Sequence, residues 1–118
     1  MFYLLNILIQ MKIILNNHVL SKSLGPFYDI GFVPTMGGIH QGHISLIKRS
    51  IKSNKKTIVS IFVNPKQFNN IKDFNSYPEN IKKDLAILKK IKKLDFVYIP
   101  TFKDVYENKK RPNIIMIM

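Results

Sequence analysis

The chain has 118 residues, 46% apolar and 22% charged, which suits one modest core and excludes a disordered segment. It has no cysteine, so a disulfide framework and a thiolate metal site are both excluded, and a reducing cytoplasm is the expected setting. The formal charge of +12 points toward an anionic partner, yet its distribution argues against nucleic acid. The lysines are scattered over Lys48–Lys56, Lys82–Lys93 and Lys103–Lys110, and only Arg49 and Arg111 accompany them. They read as solvated faces in a chain biased toward Lys, Ile and Asn. No aromatic base-stacking platform goes with them. Such a field still favours a small phosphate-bearing ligand.

The opening stretch MFYLLNILIQMKIIL is interrupted by Asn6, Gln10 and Lys12 and is too short to span a bilayer. It also lacks the early positive charge and the small-residue cleavage site of a signal peptide. Residues 1–10 therefore read as an N-terminal extension, with Met11 opening the domain and no membrane association. Residues 11–15 (MKIIL) predict a strand, and 16–24 a short helix closed by Gly25 and Pro26. Residues 29–33 predict a buried strand halted by Pro34. A helical period covers 43–54, with Ile44, Ile47 and Ile51 on one face, joined by Leu46, while Lys48, Arg49 and Lys52 point outward.

The run TIVSIFV, 57–63, has the pattern of a strand covered on both faces. Residues 64–78 show no sustained period and predict a long loop. Ile81, Leu85, Leu88 and Ile91 define a helix over 79–93. A further strand is expected over 95–100 and a helical turn over 101–108, with Thr101 as its cap. Alternating strands and helices of this kind predict a doubly wound parallel α/β sheet, Rossmann-like in layout. Loops 34–43 and 64–78 both follow strands, so both should open on the same crevice at the strands' carboxyl ends.

Chemistry concentrates in the first of these loops. Gly37 and Gly38 lie between a strand and a helix, where the backbone can approach a ligand and a helix start can offer N–H groups to an anion. His40 and His43 bracket Gly42 at the helix entry, two of the chain's three histidines. Imidazoles there can donate hydrogen bonds to phosphate and neutralise charge on a leaving pyrophosphate. The bland alternative is that either ring merely caps the helix or faces solvent, as His18 is expected to do. A metal site is a poorer fit, because two histidines without a nearby carboxylate or thiolate leave it under-ligated. The loop is neither a Walker A phosphate loop nor a GxGxxG turn.

The His-x-Gly-His spacing resembles that of the nucleotidyltransferase superfamily. The blocks VPTMGGIHQGHISLI, VSIFVNPKQFNNIKDFNSYP and DFVYIPTFKDVY narrow the resemblance to the pantothenate synthetase (pantoate–β-alanine ligase) family across 11–107. The resemblance implies ATP-dependent condensation of pantoate with β-alanine through a pantoyl-adenylate, with Mg2+ and a family homodimer. It places ATP along Met36, Gly37, Gly38, Ile39, His40, Gln41, Gly42 and His43. It makes His43 the catalytic proton donor and His40 its partner at the phosphates. Gln67 is expected to hold pantoate where β-alanine enters, with Pro34, Asn64 and Tyr77 as lesser pocket positions. Phe68 and Tyr77 read more readily as packing residues of their loop.

Family members run more than twice this length, and residues 108–118 leave the pattern. The later strands, a Gly-Glu-Lys-Asp stretch, a Ser-Ser-Arg segment and the C-terminal lid domain have no counterpart here. The chain alone is therefore expected to be inactive, a truncated form of the nucleotide-binding domain. Two other readings stay open: a nucleotide-binding fragment without ligase activity, and a basic nucleic-acid module whose affinity would fall steeply with salt.

Overall fold

The computed structural model describes residues 11–63 and 71–106. Four strands, β1 (Lys12–Ile14), β2 (Ile30–Thr35), β3 (Lys56–Ile61) and β4 (Phe96–Tyr98), form one sheet in the order β1-β4-β3-β2. Every pairing is parallel. Between them run α1 (Asn17–Leu24), α2 (Gln41–Ser53) and α3 (Ile71–Leu88), and α4 (Phe102–Tyr106) follows β4. The doubly wound α/β layout expected from the alternating pattern is what the chain adopts. Residues 1–10, 64–70 and 107–118 lie outside the described residues, and with them the expected extension and divergent tail. No helix among the described residues is long and apolar enough to cross a membrane.

The side-chain alternation of a strand explains the two cores. Val33, Val59, Ile61 and Val97 face α2 and α3, where Ile47 and Leu88 are fully buried. Ile14, Ile58, Phe96 and Tyr98 face the opposite side and meet Leu20 of α1. Because both faces are covered, β3 is buried from Thr57 to Ile61 and can be apolar without interruption. On α2, Ile44 and Ile51 join Ile47 against the core as the period requires, but Leu46 is 54% exposed. One residue is about 100° of helix, enough to carry Leu46 off the buried stripe.

Three boundaries differ from the sequence pattern. Strand β2 runs through Pro34 to Thr35, paired with β3 across Pro34↔Ser60 and Thr35↔Ile61. It is an edge strand, so the missing N–H of a proline costs no ladder bond on the open side. The segment read as a loop over 64–78 is helical from Ile71, and α3 passes through Pro78 to end at Leu88 rather than at 93. Packing of the helix's later turns outweighs the local preference of its first ones. Its end lacks glycine: Lys90 and Ile91 donate to carbonyls three residues back, and Lys93 takes φ 68°, a left-handed turn that sends the chain into β4.

Helix α2, which carries the histidines, is held close to the sheet at Gly31. A Cβ there would lie 1.9 Å from Ser50 Oγ and 2.5 Å from Asn54 Nδ2. The same Ser50 hydroxyl hydrogen-bonds Thr57 at 2.7 Å. Gly31→Ala should therefore push α2 off β2 and destabilise the chain by about 1–3 kcal/mol, read as a lower urea midpoint at unchanged m-value.

Candidate nucleotide site at the β2–α2 turn

The turn after β2 is fixed one amide at a time. Thr35, buried at the end of β2, donates its hydroxyl to the Ser60 carbonyl at 2.9 Å and accepts from Gly37 N–H at 3.2 Å. Gly37 and Gly38 take φ 87° and 67°, the left-handed region that other residues enter at a cost. This sequence of dihedrals turns the next two amides inward. Gly38 N–H donates to Asp84 Oδ2 at 3.0 Å, and Ile39 N–H to Asp84 Oδ1 at 2.9 Å. Ile39 then drops its side chain into the core, 7% exposed.

His40 is the N-cap of α2 and His43 its third helical residue, and together they form a reciprocal capping box. His40 Nδ1 accepts from Gly42 N–H at 3.0 Å, and His43 Nδ1 accepts from His40 N–H at 3.1 Å. The rings lie with centroids 4.0 Å apart, inclined at 38°. Gly42 is required by proximity: a Cβ on it would sit 2.8 Å from His40 Cε1.

A neutral imidazole has one donor and one acceptor nitrogen. With Nδ1 accepting in both rings, the hydrogen-bond pattern assigns the proton to Nε2 in both. The capping and ligand-binding readings of the histidines are thus compatible. One nitrogen holds the helix start, and the other is a donor with no protein acceptor among the described residues. Burial lowers the pKa of His43 below the ordinary imidazole value, and His40 lowers it further, while Asp84 acts in the opposite sense. Protonation would also convert the Nδ1 acceptor into a donor and open the cap.

One expectation is narrowed here. The helix start was expected to offer free N–H groups to an anion. The N–H groups of Gly37, Gly38, Ile39, His40, Gly42 and Ile44 have protein acceptors, which leaves that of Gln41, the first residue of α2. The donors left at this corner include the imidazole Nε2–H groups and the Gln41 N–H, aided by the positive end of α2, whose first turn carries no acidic residue.

Beside the corner lies a cleft of about 450 Å³, lined by Met36–Ile39, by Ile61 and Val63 at the end of β3 and beyond, and by Asn80, Ile81, Lys83, Asp84 and Ile87 of α3. His40, Gln41, Gly42 and His43 stand beyond that lining, at the first turn of α2. Pro34 lies elsewhere, on a groove between the β2 edge and α2 with Phe32 and Leu46. Tyr77 falls within α3. Asn64 and Gln67 lie outside the described residues. His18 is exposed on α1. Sequence reasoning missed Asp84 and Lys83, because both sit in a lysine-rich helix whose only visible signal is its apolar period. Among the described residues no group of three or more His, Cys, Asp or Glu is placed to hold a metal ion.

The sequence model of the pantoate-beta-alanine ligase family matches residues 10–117. The chain belongs to this family. It is 51% identical over 80 residues to pantothenate synthetase of Flavobacterium psychrophilum, covering 68% of this chain and 28% of that protein. It is 48% identical over 89 residues to that of Francisella tularensis subsp. novicida, covering 75% and 34%. The chain thus spans about a third of the length of these relatives. Among solved structures, the pantoate–β-alanine ligase of Francisella tularensis, complexed with β-γ ATP and β-alanine, superposes with a TM-score of 0.69. The identity is 40%, over 92% of this chain and 42% of that one. The pantothenate synthetase of Thermus thermophilus gives a TM-score of 0.68 at 30% identity, over 92% and 38%.

Two outcomes follow from the capping box. Followed by imidazole NMR, His43 should titrate below the ordinary imidazole value. Its share of stability should be complete above that value and fade as pH falls through the lowered one, because the unfolded chain then binds the extra proton. Gly42→Ala should displace the His40 ring and cost about 1 kcal/mol as a cap is lost, with the His40 Nδ1 signal leaving its hydrogen-bonded position.

Proposed function

We propose that this chain forms the ATP-binding part of a pantothenate synthetase, which joins pantoate to β-alanine with release of AMP and pyrophosphate. The observation that carries the reading is the imidazole pair, fixed through Nδ1 and presenting Nε2–H beside the Met36–Ile39 cleft. The nucleotide named in the Francisella tularensis complex supports assigning that cleft and the stretch Met36–His43 to ATP.

The chemistry needs little acid–base work. A pantoate carboxylate oxygen attacks the α-phosphorus, the new P–O bond forms, and the bond to the β-phosphate oxygen breaks with its electron pair leaving on pyrophosphate. The β-alanine nitrogen then attacks the acyl carbon, AMP departs from it, and the nitrogen sheds a proton. Positioning and charge stabilisation dominate such steps. His43 fills the place of the family's proton donor, and His40 that of its partner. A His43 ring kept neutral by burial serves the phosphates through its Nε2–H bond rather than as a cation.

Gln67 is proposed to hold pantoate near the β-alanine entry, since an amide both donates to carboxylate and accepts from hydroxyl. Asn64 and Tyr77 are proposed to line the same pocket. Pro34, which faces the groove at the β2 edge, would serve it through the strand end that it fixes. Magnesium, implied by the family, would bring its own oxygen ligands from the triphosphate; the described residues build no separate cage for it. ATP as substrate is in keeping with a cytoplasmic location. A second copy, as in the family's homodimers, would find Phe32 and Leu46 exposed at 38% and 54% beside the open β2 edge.

Because the chain spans about a third of its relatives, a second reading stands beside the first: nucleotide binding without complete ligation. Calorimetric titration should show ATP binding that weakens roughly tenfold in His43→Ala and in His40→Ala, the scale of one charge-assisted hydrogen bond. The 118-residue chain supplied with ATP, pantoate and β-alanine should form no pantothenate above the His43→Ala control. Binding that ignores both histidines would overturn the assignment of the site. Pantothenate formation above the control would overturn the inactivity of the chain alone.

A further inference from the structure

Asp84 is 4% exposed, and its carboxylate has no cation partner among the described residues. A buried anion without compensation is costly. Here the compensation comes from two consecutive backbone amides, those of Gly38 and Ile39, at 3.0 and 2.9 Å, one to each carboxylate oxygen. Consecutive N–H groups turned to one side by left-handed residues make an anion-binding concavity. In a nucleotide site, a phosphate would be the expected occupant of such a nest. In this chain the occupant is a side chain of the protein itself.

Spacing explains why the arrangement is tight. A Cβ at Gly37 would lie 3.2 Å from Asp84 Oδ2 and within 3.7 Å of Ile61 and Val63. The loop therefore rests directly on α3, forty-five residues further along the chain. The first residue after the clamp is His40, whose N–H and Nδ1 form the capping box. A shift of the Gly38–Ile39 peptide would carry the imidazole pair with it.

We infer that Asp84 is a positioning residue of the proposed nucleotide site, an internal anion that fills the loop's amide nest and so fixes the imidazole pair that follows it. The inference rests on the nucleotide-site reading and deepens it. The clamp also accounts for an otherwise adverse feature, a buried negative charge beside a cleft meant for a polyanion. By simple charge repulsion Asp84 would weaken nucleotide binding, so its presence at this place requires a gain in geometry.

That opposition of signs makes the inference testable on the full 118-residue chain. In amide NMR spectra, Gly38 and Ile39 should both resonate downfield, as amides that donate to a carboxylate do. Asp84→Asn should move both resonances upfield and one of them most, since an amide side chain can accept at only one of the two positions. Its circular dichroism melt checks that the variant is folded. Calorimetric titration with ATP should then show Asp84→Asn binding roughly tenfold or more weakly than the unaltered chain, the scale of one lost charge-assisted bond.

Affinity for ATP that is unchanged or higher in Asp84→Asn would overturn the inference, because that is what removing a negative charge does when the loop does not depend on it. Gly38 and Ile39 amide resonances left in place by Asp84→Asn would overturn it whatever the affinity. Failure of the unaltered chain to bind ATP, with the amide response intact, would instead sink the nucleotide reading and the positioning role with it.

Discussion

A backbone amide removed from water must find an acceptor, and the turn between β2 and α2 is organised by that requirement. From Gly37 to His40 each N–H has a protein partner: a threonine hydroxyl, two oxygens of one aspartate, and an imidazole nitrogen. The loop consequently has little freedom to adapt to a ligand. What it presents outward is decided by what it holds inward, and the imidazole protons are among the donors that remain.

This gives the corner an electrostatic character unlike that of a glycine-rich phosphate loop, which offers its own amides to the ligand. Here the Gly38 and Ile39 amides are taken up internally by Asp84, and the positive character of the corner comes from the end of α2 and the diffuse field of a chain with formal charge +12. The imidazoles are fixed by their own hydrogen bonds. Each uses Nδ1 as a cap, which selects its tautomer, and burial favours the neutral form of His43 that the cap requires. Helix capping occupies Nδ1 of each ring and leaves Nε2 for other partners.

Family membership and fold rest on a match over residues 10–117 and on superposition with two solved ligases. The geometry adds reasons for residue types that a motif only states. Gly42 must be small because an imidazole lies over it, Gly37 because a carboxylate does, and Gly31 because α2 packs onto the strand there. Three glycines thus serve close approach. Gly38, with open space where its Cβ would be, serves only the turn.

Local patterns in the sequence determined the sheet's strands, their parallel two-faced burial, helix α2 with its apolar stripe, and the pairing of His40 with His43 at one corner. Each of these depends on neighbours within a few residues, where periodicity and turn chemistry act. Tertiary structure alone decided the rest. Strand β2 continues through Pro34 because it lies at an edge, α3 begins before Pro78 because its later turns are packed, and Asp84 meets Gly38 and Ile39 only once α3 lies against the loop. Contacts between residues so far apart along the chain leave no periodic trace, since a buried carboxylate on a lysine-rich helix looks like any surface charge until its acceptor role is seen.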